Sequence, residues 1–148
     1  MGLINLLFQD PISFFLLVIP LLYSVIAHEV SHGLVADRLG DPTARMSGRL
    51  TFRIAPHIDP LGTLLLFIFG FGWAKPVPVN PYNTKDYRQS LIWISAAGPL
   101  SNILIATICL FIYKSFGLSA SVISTVLLIT AQINIILASF NLIPIPPP

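Results

Sequence analysis

The residues His28, Glu29 and His32 form the strongest chemical pattern in this sequence, H-E-x-x-H. Side chains four residues apart share one face of a helix, so both imidazoles can reach the same metal ion. Glu29 is next to His28 and can reach a water molecule on that ion, where a carboxylate can act as a general base. The pattern therefore predicts a metal site with hydrolytic chemistry.

Glu29 is also the only glutamate of the chain, and it stands within an apolar stretch. An ionisable side chain inside a membrane-spanning helix costs about 3 kcal/mol or more, which makes such a residue a candidate for function. The alternative interpretation is structural, because two histidines and a glutamate could form a hydrogen-bonded cluster that packs helices together.

A catalytic zinc site commonly has three protein ligands and one open position, so two histidines are not sufficient. The sequence offers four candidates for the third ligand: His57, Asp59, Asp37 and Asp41. His57 and Asp59 flank the start of a short apolar segment and could be drawn toward the site with it. They could equally be polar residues of a loop that enters the membrane.

The composition indicates what kind of protein must position these residues. Of 148 residues, 9% are charged and 55% are hydrophobic, whereas charged residues make up about 25% of soluble domains. The mean hydropathy is +0.83. These values exclude a disordered chain and a nucleic-acid binder with a basic face, and they indicate one membrane domain over residues 1–148. The single cysteine, Cys109, excludes an intramolecular disulfide and a cysteine-based zinc cage.

Three apolar stretches are long enough to cross a hydrocarbon core of about 30 Å as helices. We predict spans at about 11–36, 90–113 and 120–142. A fourth apolar stretch, 61–73, is too short for a comfortable crossing, and we predict that it enters the membrane and returns on the same side. The predicted fold is an all-α membrane protein with three full transmembrane helices and this re-entrant segment.

The positions of lysine and arginine support this topology. If the segment 61–73 returns, seven of these residues lie within the region 37–89 on one side and only Lys114 lies on the other. If the segment crosses, the split is five to three. Because positive residues collect in cytoplasmic loops, the first arrangement is favoured. We predict a multi-pass protein of the plasma membrane, with its N-terminus outside and its active site toward the cytoplasm.

The segment Arg49–Ile54 alternates strictly between polar and apolar residues. This period predicts a short, half-buried β-strand or hairpin on the cytoplasmic side. The exposed edge of such a strand could hold an extended substrate by strand addition. The strand could also merely cap the cytoplasmic face.

Nearly the whole chain resembles the site-2 protease family (peptidase family M50), in a short form with little beyond the catalytic core. Five segments carry the resemblance in the order that the family shows: His28–Gly33, Pro56–Thr63, Gly72–Pro81, Ala97–Asn102 and Phe140–Pro147. The resemblance implies a zinc metalloendopeptidase that holds one zinc ion. Its substrates would be membrane proteins, cut in or near their transmembrane segments, so the implied partners are such segments and the lipid bilayer.

The resemblance also implies a role for each site residue. By carry-over of the motifs, His28 and His32 are zinc ligands and Glu29 is the catalytic base. Asn141 resembles an asparagine of the family's last motif and is the candidate donor to the oxyanion of the tetrahedral intermediate. Asn102 is a second candidate for that donor, although polar residues in spans also form hydrogen bonds between helices.

The third zinc ligand of the family is an aspartate of an Asp-Gly pair that follows an Asn-x-x-Pro-x-Pro run. In this chain the sequence stops at Pro148, about where that aspartate should come. We therefore expect a domain that is incomplete at its C-terminus, and an intact protein that continues with Asp-Gly. The 148-residue chain alone is expected to bind zinc weakly and to be inactive.

Two functions from other classes stay open. The histidines and the glutamate could bind a metal for transport, or the protein could be a pseudoprotease that binds transmembrane segments without cutting them. Transporters often carry acidic residues on several spans and have repeated halves. The other full spans of this chain contain no Asp or Glu, and no repeat is visible, so the sequence favours a protease.

Overall fold

Helices make up the regular structure of residues 2–143, the part of the chain that the computed structural model describes. The α-helices are α1 Leu3–Gln9, α2 Pro11–Arg38, α3 Thr43–Met46, α4 Pro60–Phe69, α5 Tyr87–Ser115 and α6 Val122–Leu142. Two short 3₁₀ helices cover Ala55–His57 and Pro81–Asn83.

The three predicted membrane spans are confirmed as helices α2, α5 and α6, which are each long and apolar enough to cross a membrane. Each of them begins at a residue whose side chain accepts a hydrogen bond from the first turn: Asp10, Asp86 and Ser121 respectively. Such caps satisfy amide groups that have no partner within the helix. The caps explain why α5 begins three residues before the predicted boundary.

Helices α2, α5 and α6 pack against one another along faces that carry small or polar residues. The buried positions include Gly98 and Asn102 on α5, Ala131 and Asn134 on α6, and Ser24 on α2. Small side chains let helix backbones approach closely in a membrane, and polar ones can form hydrogen bonds between helices. Large apolar side chains instead point outward, as the exposures of Phe111 (70%) and Ile123 (64%) show.

The two flanks of the short apolar segment lie next to each other. Helix α4 has 10 residues and is thus about 15 Å long, roughly half of a membrane core. The amide of Lys75 donates a hydrogen bond to the carbonyl of His57 at 2.8 Å, which joins the two flanks of the segment. Gly62 lies directly against the carbonyl of Trp73. A re-entrant path requires flanks that meet in this way, and the path itself stays a prediction.

The predicted β-strand at Arg49–Ile54 is wrong, because this segment consists of bends and irregular backbone, and residues 2–143 contain no strand. Burial does not follow the alternation at two of its positions. Arg49 is buried with 7% exposure, whereas Phe52 is 59% exposed. The Arg49 guanidinium donates to the carbonyls of Lys75 and Pro76. These hydrogen bonds hold the polar side chain inside, and the segment offers no strand edge to a substrate.

Candidate metal centre

Helix α2 brings His28, Glu29 and His32 together on one face, as their spacing predicted. One potential ligand atom from each side chain lies within 4.8 Å of those of the other two. The Nε2 atoms of the two imidazoles are 3.0 Å apart, and the rings meet edge to face with their centroids separated by 4.7 Å. His28 is buried, and the other two side chains are partly buried.

The hydrogen bonds of the two rings determine which nitrogen atoms are free. His32 Nδ1 lies 2.6 Å from the carbonyl oxygen of Ile94, and a carbonyl can only accept, so Nδ1 carries the proton. His28 Nδ1 lies 2.6 Å from Oδ1 of Asn102 and donates in the same way. Both Nε2 atoms therefore present lone pairs to each other.

Two nitrogen lone pairs that face each other at 3.0 Å repel unless a cation lies beside them. A tetrahedral zinc ion bound at about 2.0–2.1 Å would hold two nitrogen ligands about 3.3 Å apart, close to the observed separation. Second hydrogen bonds from the far ring nitrogen, of the kind made here, fix the orientation of metal-binding histidines in many proteins. The donor set therefore fits a zinc ion.

Gly98 on helix α5 closes one side of this pair of imidazoles. A Cβ atom built on Gly98 would lie 2.5 Å from Nε2 of His28 and 2.5 Å from Nε2 of His32. The rings cannot move aside easily, because each is held through its Nδ1 atom. Only glycine leaves room at this position for the two nitrogens and for a ligand between them.

Glu29 is held by the extended segment that follows helix α4. The amide of Val77 donates a hydrogen bond to Oε2 of Glu29 at 3.1 Å. The Val77 side chain is buried and packs beside Gly33, where a Cβ atom would lie 2.8 Å from Val77 Cγ1. The carboxylate is thus oriented by a backbone group, and its second oxygen has no partner among the hydrogen bonds of the described residues.

Asp41, just beyond the end of α2, anchors the far end of the same segment. It accepts hydrogen bonds from the amide of Asn80 at 2.5 Å, from the side chain of Asn83 at 3.0 Å and from Thr43. Burial raises the pKa of the Asp41 carboxyl, but these hydrogen bonds outweigh it and hold the pKa below its ordinary value. The segment over the site is therefore fixed at both ends.

None of the four candidates for a third ligand joins the cluster. Among residues 2–143, His28, Glu29 and His32 form the one group of three or more side chains close enough to hold a metal ion. His57 donates through Nε2 to the carbonyl of Thr51, and Asp59 caps helix α4. Asp37 pairs with Arg45 at 2.9 Å. The remaining candidate, the carboxylate of Asp41, is taken up by the bonds described above.

The two asparagine candidates occupy different places. Asn141, near the end of α6, donates to the carbonyl of Leu137 at 2.7 Å and is exposed, so its role as an oxyanion donor stays a prediction. Both amide hydrogens of Asn102 are already donated, to Asn134 and to the carbonyl of Ser24. It therefore has no free N–H for an oxyanion and instead holds His28. The rest of the last motif, 144–147, lies outside the described residues.

Three residues around the centre were not predicted as site residues: Val77, Gly98 and Asn134. Gly98 and Val77 lie within motifs that carry the resemblance, which was the available signal for them. Asn134 lies in no motif. Its only signal is an amide side chain in the middle of an apolar span, where polar groups are costly unless they are satisfied.

Two curated proteins are similar to this chain. One is "Putative zinc metalloprotease YwhC" of Bacillus subtilis, 42% identical over 139 residues, a match that covers 88% of this chain and 64% of that protein. The other is "Putative zinc metalloprotease MJ0611" of Methanocaldococcus jannaschii, 32% identical over 124 residues, with 82% and 60% covered.

The chain therefore spans a little under two thirds of the length of each relative. No family model matches it, and no solved structure matches it. Both relatives are named as putative zinc metalloproteases, which supports the resemblance that the motifs indicated.

Proposed function

We propose that this chain forms the catalytic core of an intramembrane zinc endopeptidase. It has three helices that could span a membrane, and it is similar to putative zinc metalloproteases. Its substrates are transmembrane segments of other membrane proteins. The observation that carries this proposal is the pair of Nε2 lone pairs of His28 and His32, 3.0 Å apart, with Glu29 in the same cluster. This combination provides two metal ligands and a base at one place.

The membrane location of the reaction is supported by where the cluster lies. His28 is the eighteenth residue of the 28-residue helix α2, about 26 Å from its start at 1.5 Å per residue. The helices around it are apolar and expose large hydrophobic side chains. A soluble peptide would have to enter the membrane to reach such a site, whereas a transmembrane segment already lies at that depth. The plasma membrane and the cytoplasmic orientation are part of this proposal.

The residues of the chain divide the work of hydrolysis. His28 and His32 would hold one zinc ion, which when bound would supply a Lewis acid for the scissile carbonyl and for the attacking water. Glu29 takes the proton from the attacking water and delivers it to the leaving amine. The Val77 amide keeps the Glu29 carboxylate in place through one oxygen, which leaves the other oxygen to accept the proton.

The third zinc ligand is proposed to be the aspartate of the Asp-Gly pair that the resemblance implies. The described residues bring no third side chain to the two histidines apart from Glu29, which is needed as the base. Asn141 stands at the end of α6, shortly before the place in the sequence where that aspartate is expected. It is proposed as the oxyanion donor.

The test compares two chains reconstituted in lipid vesicles with a model transmembrane substrate. One is the 148-residue chain, and the other is the same chain continued after Pro148 by a segment that begins with Asp-Gly, here called the extended chain. We expect the extended chain to cut the substrate within or next to its transmembrane segment, with the position mapped by mass spectrometry. The Asp37→Asn variant, which changes a carboxylate on the same helix outside the cluster, serves as the matched control and should cut equally.

Three results would decide against the proposal or modify it. Zinc entering the vesicles without any cleavage would indicate metal transport. Binding of the substrate segment to a zinc-loaded extended chain without cleavage would indicate a pseudoprotease. Full cleavage by the 148-residue chain would show that the third ligand lies within residues 1–148.

A further inference from the structure

A buried hydrogen-bond network connects His28 to the two other long helices. Nδ1 of His28 donates to Oδ1 of Asn102 on α5, and Nδ2 of Asn102 donates to Oδ1 of Asn134 on α6 at 2.7 Å. Asn102 and Asn134 are both fully buried, with 0% exposure. Buried amide groups of this kind are expensive unless all their hydrogen bonds are formed.

The direction of this network is fixed by backbone carbonyls, which can only accept. Nδ2 of Asn134 donates to the carbonyl of Thr130 at 2.8 Å and to Oγ of Ser24 at 2.8 Å, so Oδ1 of Asn134 must face Asn102. Nδ2 of Asn102 donates to the carbonyl of Ser24 at 3.3 Å and to Asn134. Oδ1 of Asn102 must then face His28.

We propose that Asn134 is a positioning residue that, through Asn102, keeps the proton of His28 on Nδ1 and so leaves Nε2 free for a cation. If Asn102 turned its amide over, its Nδ2 would face Nδ1 of His28. The imidazole would then accept at Nδ1 and carry its proton on Nε2, a form that cannot bind a metal through that atom. The strong contact from Asn102 to Asn134 at 2.7 Å, rather than the longer one to Ser24, opposes this rotation.

The neighbouring ligand gives a natural comparison. His32 is oriented by the carbonyl of Ile94, which cannot change its direction, so it needs no further support. His28 is oriented by a side-chain amide, which can be turned over, and a second amide behind it removes that freedom. The inference rests on the proposed use of His28 as a zinc ligand.

The experiment reads the protonated nitrogen of each imidazole directly, without zinc and without substrate. The 148-residue chain, labelled with ¹⁵N and placed in lipid nanodiscs, has only three histidines, and nitrogen NMR distinguishes a protonated ring nitrogen from one with a lone pair. In the wild-type chain, His28 and His32 should both be protonated at Nδ1. In Asn134→Leu, we expect His28 to show a mixture of both forms or the Nε2 form, while His32 stays unchanged.

A matched control is Thr130→Val, one turn away on α6. The Thr130 hydroxyl donates only to the carbonyl of Val126, and its own carbonyl, which Asn134 uses, is kept in the variant. The control should leave both histidines as in the wild-type chain. Zinc affinity measured by competition should fall about 10–100-fold in Asn134→Leu, as is typical when an outer partner of a ligand is lost, and should not change in Thr130→Val.

A second variant, Asn134→Ala, serves if the leucine variant does not fold. The proposal is overturned if His28 keeps its proton on Nδ1 in a folded Asn134 variant. It is also overturned if the protonated nitrogen changes in both His28 and His32 when Asn134 is replaced by leucine and by alanine. Asn134 would then act on helix packing and not on His28. The nitrogen spectra are recorded without substrate, so their result does not depend on whether the chain cleaves one. The proposed role of Asn134 and the proposed protease function can therefore fail separately.

Discussion

The amide nitrogen of Val77 lies 3.1 Å from Oε2 of Glu29, although the two residues are 48 positions apart. This hydrogen bond joins the segment after helix α4 to the proposed base, and it comes from the backbone rather than from a side chain. The loop therefore takes part in orienting the site. Because the donor is a backbone amide, most substitutions at Val77 keep the hydrogen bond and cannot test its role.

Replacing Val77 by proline removes the amide hydrogen and should slow cleavage by the extended chain. A hydrogen bond to a charged group contributes about 1.5–3 kcal/mol, so we expect a reduction in kcat of about tenfold or more. The control is Val77→Thr, which has nearly the same shape and keeps the amide. Equal rates for the proline and threonine variants would show that the amide does not position Glu29.

Gly98→Ala should separate folding from metal binding. Alanine is favoured over glycine in the interior of a helix by about 0.8–1.0 kcal/mol, yet its Cβ atom would meet both Nε2 atoms at 2.5 Å. We expect the variant to keep its helical circular dichroism and to lose zinc affinity by at least about tenfold. Ser95→Ala, at an exposed position on the same helix, should keep both its helical circular dichroism and its zinc affinity. Normal zinc binding by Gly98→Ala would show that the metal site does not require glycine at this position.

Asp41 should make the stability of the chain depend on pH in one direction. Its carboxyl has a pKa below the ordinary value of 3.8, and a group of this kind binds fewer protons in the folded than in the unfolded state near that pH. Its stabilisation is therefore fully present above the unfolded pKa and is lost as the pH falls through the folded pKa.

The variant Asp41→Asn should accordingly be less stable than the wild-type chain at pH 7, by about 1–3 kcal/mol for the hydrogen bonds that are lost. The difference should shrink as the pH drops below about 4. Thermal unfolding of both chains across this range measures it. A difference that stays constant down to the lowest pH would contradict the proposed role of the carboxylate.

The predicted re-entrant path of residues 61–73 can be tested by the accessibility of cysteines on its two flanks. Because the flanks of the segment meet at His57 and Lys75, cysteines placed at Asp59 and Lys75 should react with a membrane-impermeant reagent from the same side. A cysteine at Lys114, in the last turn of the second full span, should react from the other side. The native Cys109 is first replaced by serine. Labelling of Asp59 and Lys75 from opposite sides would require a four-span topology.

The sequence predicted those features that depend on local patterns. The three spans follow from apolar stretches without charge, and the common face of His28 and His32 follows from helical geometry. The strand at Arg49–Ile54 was wrong because an alternating pattern does not show whether a partner strand exists. It also could not show that the carbonyls of Lys75 and Pro76 would bind the Arg49 guanidinium inside the protein.

The parts of the site that could not be predicted depend on how helices cross. Nothing in the sequence near Asn134 reveals that it faces Asn102, which is 32 residues away on another helix. The position of Gly98 over the two imidazoles likewise depends on the packing of α5 against α2. Such contacts are set by the tertiary structure, and the spacing of residues within one helix contains no information about them.

In the proposed mechanism, His28 and His32 bind zinc and Glu29 performs the proton transfer. The most direct measurement is the zinc content and the cleavage rate of the extended chain, compared with its Glu29→Gln variant. The amide is close in size to the carboxylate but cannot take a proton from water, and general acid–base catalysis contributes about 10²–10⁴-fold. We expect unchanged zinc content and cleavage reduced by at least about 10²-fold, whereas a Glu29→Gln variant that still cleaves at the wild-type rate would contradict these roles.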